Sequence, residues 1–254
     1  MFQRLVRRPR AGEPVRHVYD GPIGLRDLDA RDREIVNQAM PHTLTGVARI
    51  VALIDAVRYC VRNQLPGGFA ECGVWRGGSV LAMVMALQDL GRDDRDFYLF
   101  DTFTGPTEPT EEDVSARQEP AVKTWRRYQE RNVTPWGEAF HPTIFNEEIV
   151  RTTVGSTGYP AERLHFVAGR VEETVPDRAP EQLAVLRLDT DFYVSTRHEM
   201  VHLYPRLVSG GVLIVDDYGH WQGARRAVDE YLAAQPKGPL LTWIDYTAKI
   251  GVKP

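Results

Sequence analysis

A chain of 254 residues that is 43% hydrophobic and 26% charged has room for one α/β domain with additions and is too apolar for disorder to be the default. Its formal net charge of -4 argues against the broad basic surface that nucleic-acid binding needs. No apolar run approaches the roughly 18 residues of a membrane span.

Arg4, Arg7, Arg8 and Arg10 have no apolar segment behind them. They read as a loose basic arm and not a secretory signal; the sharper alternative is an arm that packs on a neighbouring subunit or touches an anionic acceptor. Residues 1–45 are mixed in character and read as an N-terminal extension. Residues 44–60 then place Leu44, Val47, Ile50, Val51, Ile54 and Val57 at helical spacing, and Gly67 and Gly68 close that helix. Cys60 and Cys72 have no CxxC partner, which fits a reducing, cytoplasmic setting.

From residue 69 the pattern alternates. Short runs rich in β-formers occupy 69–72, 97–100, 164–168, 183–188 and 212–215, with helical spacing at 79–90, 196–207 and 223–234. Nearly continuous apolar runs of this length read as buried parallel strands, and the alternation predicts a doubly wound α/β sheet. Residues 240–252 offer two more β-like runs, with 247–251 a candidate antiparallel edge strand. Residues 104–160 break the alternation. They hold Pro106, Pro109, the acidic run Glu111-Glu112-Asp113 and the aromatics Trp125, Tyr128, Trp136, Phe140 and Phe145. An insertion this long reads as a lid or acceptor-binding segment, with its aromatics turned to a ligand and its acids solvated.

Three stretches carry chemistry. In Glu71-Cys72-Gly73-Val74-Trp75-Arg76-Gly77-Gly78-Ser79 a glycine turn follows a buried strand and opens a helix, which lets backbone approach a ligand and presents free N–H groups. It is neither GxGxxG nor a P-loop, and a tight turn without a ligand is the plain alternative. Asp101, at the next strand end, suits the two hydroxyls of a ribose, or a helix N-cap. Leu188-Asp189-Thr190-Asp191 and Asp216-Asp217-Tyr218 end two further strands. Four carboxylates on one sheet edge repel one another unless a cation is bound or some are protonated. Their hard oxygens suit Mg²⁺ or Ca²⁺ better than zinc; helix capping with surface charge is the bland alternative.

These stretches, with Asp101-Thr-Phe-Thr-Gly-Pro, Tyr204-Pro-Arg-Leu and Ala224-Arg-Arg-Ala-Val-Asp-Glu230, resemble the macrocin and mycinamicin sugar O-methyltransferases of antibiotic biosynthesis. The resemblance covers roughly residues 45–105 and 160–232, and its motifs are specific in combination. It implies a Rossmann-like class I methyltransferase fold, mostly parallel with an antiparallel C-terminal edge strand. It also implies S-adenosylmethionine, Mg²⁺ and a deoxysugar hydroxyl as acceptor, on a glycosylated natural product or a nucleotide-activated sugar. Carried over by position, Glu71, Gly73, Val74, Arg76, Ser79, Asp101, Thr102 and Phe103 hold the methyl donor. Asp189, Asp216 and Asp217 hold the metal, and Asp191 is the general base. A cytoplasmic homo-oligomer is expected. Residues 106–160 and the N-terminus depart from the family pattern.

In an extended segment leaving a strand, Asp189 and Asp191 face the same side, with Asp191 one step nearer the acceptor. Arg126, Arg127 and Trp125 suit a nucleotide diphosphate, or else a solvated helix face with a packed aromatic. Two rivals share the sheet. A nicotinamide-dependent dehydrogenase lacks support in the missing GxGxxG and in a separation of Gly73 from Asp101 well beyond about 20 residues. A non-catalytic binding protein has little use for the acid cluster.

Overall fold

Every β-rich run becomes a strand in the computed structural model, which describes residues 27–254, and all keep close to their expected limits except the run at 212–215, whose strand starts at Leu207. The arginine arm lies outside the described residues. The strands are β1 (Gly68–Cys72), β2 (Phe97–Asp101), β3 (Leu164–Ala168), β4 (Leu183–Leu188), β5 (Leu207–Val215), β6 (Thr242–Trp243) and β7 (Lys249–Val252). They form one sheet in the order β3-β2-β1-β4-β5-β7-β6. All pairs from β3 to β5 are parallel, and β7 runs antiparallel to both β5 and β6. The expected antiparallel edge is therefore displaced: β7 is an inner strand and the two-residue β6 is the edge. The chain direction across the sheet reverses between β1 and β4, which opens a crevice at their carboxyl ends.

The helices are α1 (Ala30–Ala39), α2 (Val47–Arg62), α3 (Gly78–Asp89), α4 (Ala121–Glu130), α5 (Gly137–Phe140), α6 (Glu147–Gly155), α7 (Val171–Thr174), α8 (Tyr193–His202) and α9 (Gln222–Ala233). One face of the sheet is covered by α1, α2, α3 and α6, the other by α7, α8 and α9, and each layer encloses its own apolar core. In α3 ten consecutive residues, Gly78 to Leu87, are buried, so this helix is apolar all round because helices flank it.

Three segments add to or depart from what the sequence shows. The described part of the N-terminal extension, of mixed character in the sequence, forms α1. Asp29 caps α1 by accepting from the Asp32 N–H at 2.8 Å, and Ile35, Val36 and Ala39 bury a stripe against α3. The helix expected at 196–207 begins at Tyr193 and ends at His202, where Pro205 enters a 3-10 turn because it has no N–H to continue the ladder. The segment 104–160 is not a single lid. Phe145, Val150, Val154 and Tyr159 lie in the core against α3, so its last third is part of the body of the domain.

Candidate active site

The crevice is a cavity of about 410 Å³ at the carboxyl ends of β1, β2, β4 and β5. Of the residues expected at the donor end, Gly73, Val74, Ser79, Asp101 and Thr102 line it. Glu71, Arg76 and Phe103 do not. Glu71 is buried behind the floor against Arg187, and Arg76 points its Nη1 at the Pro41 carbonyl, 3.5 Å away. Phe103 packs into the core beside Phe145 and Phe166.

The glycines act differently from the sequence argument. Gly73 has φ +81°, and a Cβ there would stand 2.0 Å from the Asp189 carbonyl oxygen. Its bareness brings the ends of β1 and β4 together. At Gly78 a Cβ would meet the Ala39 and His42 carbonyls at 2.6 Å, so this glycine seats α3 against α1. Asp101 has a third role that neither sequence reading named. Its Oδ2 accepts from the Val74 and Trp75 N–H groups at 2.7 and 3.2 Å, and its Oδ1 accepts from the Phe103 N–H at 2.9 Å. The carboxylate thus holds the glycine turn in shape from the next strand. Burial pushes its carboxyl up, and these backbone bonds pull the other way.

At the other end the acids gather. One oxygen from each of Asp189, Asp216 and Asp217 falls within 4.8 Å of the others. Two arginines enter the same cluster. Arg187, 1% exposed in the middle of β4, contacts Glu71, Asp216 and, at 2.7 Å, Asp189. Arg49, from the first turn of α2, contacts Asp216 and lies 3.0 Å from Asp245. Burial pushes the Asp216 carboxyl up, but Arg187 and Arg49 outweigh it and hold the group below the usual carboxylate range. Asp189 and Asp217 go the other way, both pushed well above that range by burial and by neighbouring carboxylates.

Four acids (Glu71, Asp189, Asp216 and Asp245) contact the two guanidinium groups, Asp191 and Asp217 stand next to them, and the Asp217 Oδ2 is buried with no hydrogen-bonding partner among the described residues. Excess negative charge, hard oxygens and a bare buried carboxylate oxygen fit a divalent cation of the Mg²⁺ type.

Asp191 lies beside this cluster. Its φ of +66° is left-handed, so the segment after β4 is a turn and not the extended run assumed from the sequence. Asp189, Thr190 and Asp191 all reach the cavity nonetheless. The Trp221 Nε1–H donates to Asp191 Oδ1 at 3.0 Å, and burial, followed by Asp189, pushes this carboxyl up to about 7.

Arg187 is the residue that sequence reasoning missed. Its signal was a charge inside the otherwise apolar run 183–188. Removing it leaves Glu71 and Asp216 buried without their shared countercharge. Arg187→Leu is expected to destabilise the fold by about 3–5 kcal/mol in denaturant titration. The loss should be greater at pH 8 than at pH 5, because protonation relieves the stranded carboxylates at low pH. A midpoint unchanged at pH 8 would contradict this role.

The first part of the insertion roofs the cavity with Pro106, Gln118, Trp136 and Phe140. Trp125 and Tyr128 pack at a tilt against Trp136 and do not line the cavity, while Arg126 and Arg127 pair with Glu111 and Glu119 on the exposed surface. Asp113 is fully buried, contrary to the expectation of solvated acids. It accepts from the Tyr193 N–H at the start of α8 and from the Thr110 N–H, both at 2.7 Å, pinning the roof to the sheet's helical layer.

The whole of this architecture has relatives. A family model described as macrocin O-methyltransferase (TylF) matches residues 24–250. A demethyldecarbamoylnovobiocin O-methyltransferase from Streptomyces niveus is 31% identical over 225 residues, covering 85% of this chain and 80% of the relative. A rhamnosyl-tetracenomycin C 4'-O-methyltransferase from Streptomyces olivaceus is 34% identical over 218 residues, covering 84% and 75%. The solved structure of the O-methyltransferase NovP superposes with a TM-score of 0.69 at 29% identity, covering 87% of each chain. The chain belongs to the macrocin O-methyltransferase family and is an O-methyltransferase.

Proposed function

We propose that the enzyme moves a methyl group from S-adenosylmethionine to a deoxysugar hydroxyl in antibiotic biosynthesis, with Mg²⁺ on Asp189, Asp216 and Asp217 and with Asp191 as the base. The observation that carries this reading is the meeting of three carboxylates within 4.8 Å beside a fourth, in the same cavity as the glycine turn. The tetracenomycin relative acts on a rhamnosyl group by its name, which supports a sugar as acceptor.

Asp101 on β2 and Asp216 after β5 are separated by β1 and β4, roughly 14 Å at ordinary strand spacing. That span suits a nucleoside-sized donor with its ribose at Asp101 and its reacting end at the acid cluster. Three backbone N–H groups already occupy the Asp101 carboxylate, and the Thr102 hydroxyl stands 3.5 Å from Oδ1 but closer to the Gly105 carbonyl, so a ribose hydroxyl can take the fourth place on the carboxylate. When bound, Mg²⁺ would lower the pKa of the acceptor hydroxyl and orient it. Asp191 takes the proton released as the carbon–oxygen bond forms, with Trp221 fixing the direction of its carboxylate. Residues 105–140 form the cover over the acceptor, where Trp136 and Phe140 exclude water and offer apolar faces to a sugar ring.

Two measurements test this reading. With S-adenosylmethionine, Mg²⁺ and a panel of glycosylated acceptors, tandem mass spectrometry should find one added methylene mass on a sugar oxygen. No product from any deoxysugar acceptor, with turnover on a phenol or another sugar-free alcohol, would overturn the acceptor class. Asp101→Asn should weaken S-adenosylhomocysteine binding in calorimetry and lower the melting temperature together, since charge-assisted bonds of about 1.5–3 kcal/mol are lost on the protein side as well. Loss of stability with donor affinity intact would leave Asp101 a turn-holding residue only.

A further inference from the structure

We propose that Glu199 is a positioning residue that clamps the turn bearing Asp189 and Asp191 through Thr190. The inference rests on the roles proposed above for those two aspartates.

Glu199 is 0% exposed on α8 and takes no part in the chemistry described so far. Its Oε1 accepts from the Thr190 Oγ1–H at 2.9 Å, while its buried Oε2 has no nitrogen or hydroxyl partner among the described residues and only the Cys72 thiol bonds to the carboxyl besides Thr190. The groups facing it are the Thr190 hydroxyl, the Cys72 thiol and the Glu172 carboxylate, which itself lies 3.5 Å from Arg170. Among the described residues no arginine or lysine pairs with Glu199, and burial, with Glu172 adding to it, pushes its carboxyl up to about 8. Its neutral form is thereby favoured, and it is buried and bonded to the one residue between the two aspartates.

That residue needs holding. Asp191 is left-handed at φ +66°, a conformation uncommon outside glycine though tolerated by aspartate, so contacts that hold the turn fix where its carboxylate points. Ser195 and Glu199 are four residues apart and share one face of α8. Ser195 Oγ shares its proton between the Phe192 carbonyl at 3.1 Å and the Thr190 carbonyl at 3.3 Å, and Glu199 accepts from the Thr190 hydroxyl. One helix face thus grips Thr190 at both its backbone and its side chain. On one side of the grip is a metal-cluster acid, on the other the acid bonded to Trp221.

The test uses Thr190→Val, Glu199→Ala and Glu199→Gln in the full chain. The Trp221 indole N–H is the reporter, because it donates to Asp191; its ¹⁵N–¹H resonance is assigned by its disappearance in Trp221→Phe. Thr190→Val and Glu199→Ala should shift that resonance. They should also weaken Mg²⁺ binding in calorimetry and lower kcat on the order of 10- to 100-fold, with S-adenosylhomocysteine affinity unchanged. Glu199→Gln keeps a carbonyl acceptor for Thr190 and should restore all three readouts.

Thr190→Val is close to isosteric, so it stays informative if Glu199→Ala does not fold. An unmoved Trp221 resonance with wild-type kcat in Thr190→Val overturns the clamp. So does a loss in all three variants that follows melting temperature alone. A shifted resonance and lowered kcat in Thr190→Val, together with undiminished turnover of the unmutated enzyme in excess chelator, would uphold the clamp and sink the metal reading instead.

Discussion

Asp191→Asn is expected to lower kcat by about 10²- to 10⁴-fold, the usual contribution of a positioned base, with donor affinity and melting temperature unchanged. The fold has no reason to object. Asparagine has the same shape and tolerates the left-handed backbone at this position, and its amide oxygen can still accept from Trp221. Only basicity is lost. The pH profile should identify the same group. A base works only when deprotonated, so kcat should rise with pH through the Asp191 pKa. Burial and Asp189 push that carboxyl up to about 7 without a cation, and a bound dication would draw it lower. The acidic limb should therefore lie at or below pH 7 and vanish in the asparagine variant. Asp189→Asn should differ by weakening Mg²⁺ binding first. Near-full activity of Asp191→Asn across the pH range would move the base to another group or to water.

The sheet was legible because each strand is a short apolar run closed by a turn or an acid, and four of the five parallel strands end where the hydrophobicity ends. The candidate site was legible for the same reason. Asp101, Asp189, Asp216 and Asp217 stand at strand ends, and a parallel sheet gathers those ends on one edge. What escaped depends on partners far away in sequence. In α1 only Ile35, Val36 and Ala39 form the buried stripe among charged residues, too narrow a period to announce a helix. Asp113 sits in an acidic run and reads as solvated, yet the free N–H at the start of α8 makes its burial favourable. Gly73 was read as room for a ligand, but the close neighbour is the Asp189 backbone. Glu71 and Arg187 belong to adjacent strands in register, and nothing local to either shows that they neutralise each other.

The metal carries the largest expected effect. Six carboxyl groups against two guanidinium groups leave an excess of negative charge that the fold tolerates only with some acids protonated or a dication present. Asp217 should matter most for affinity, since its Oδ2 has no other partner, whereas both Asp216 oxygens already face arginines. Asp217→Asn should raise the Mg²⁺ concentration needed for half-maximal turnover more than Asp216→Asn does. The most direct measurement is turnover of chelator-stripped enzyme, followed as methyl transfer to a glycosylated acceptor while Mg²⁺ is titrated back. The account predicts no detectable product in excess EDTA and full recovery with Mg²⁺, with the recovery curve displaced to higher Mg²⁺ in Asp217→Asn. Undiminished methylation in excess EDTA would contradict it.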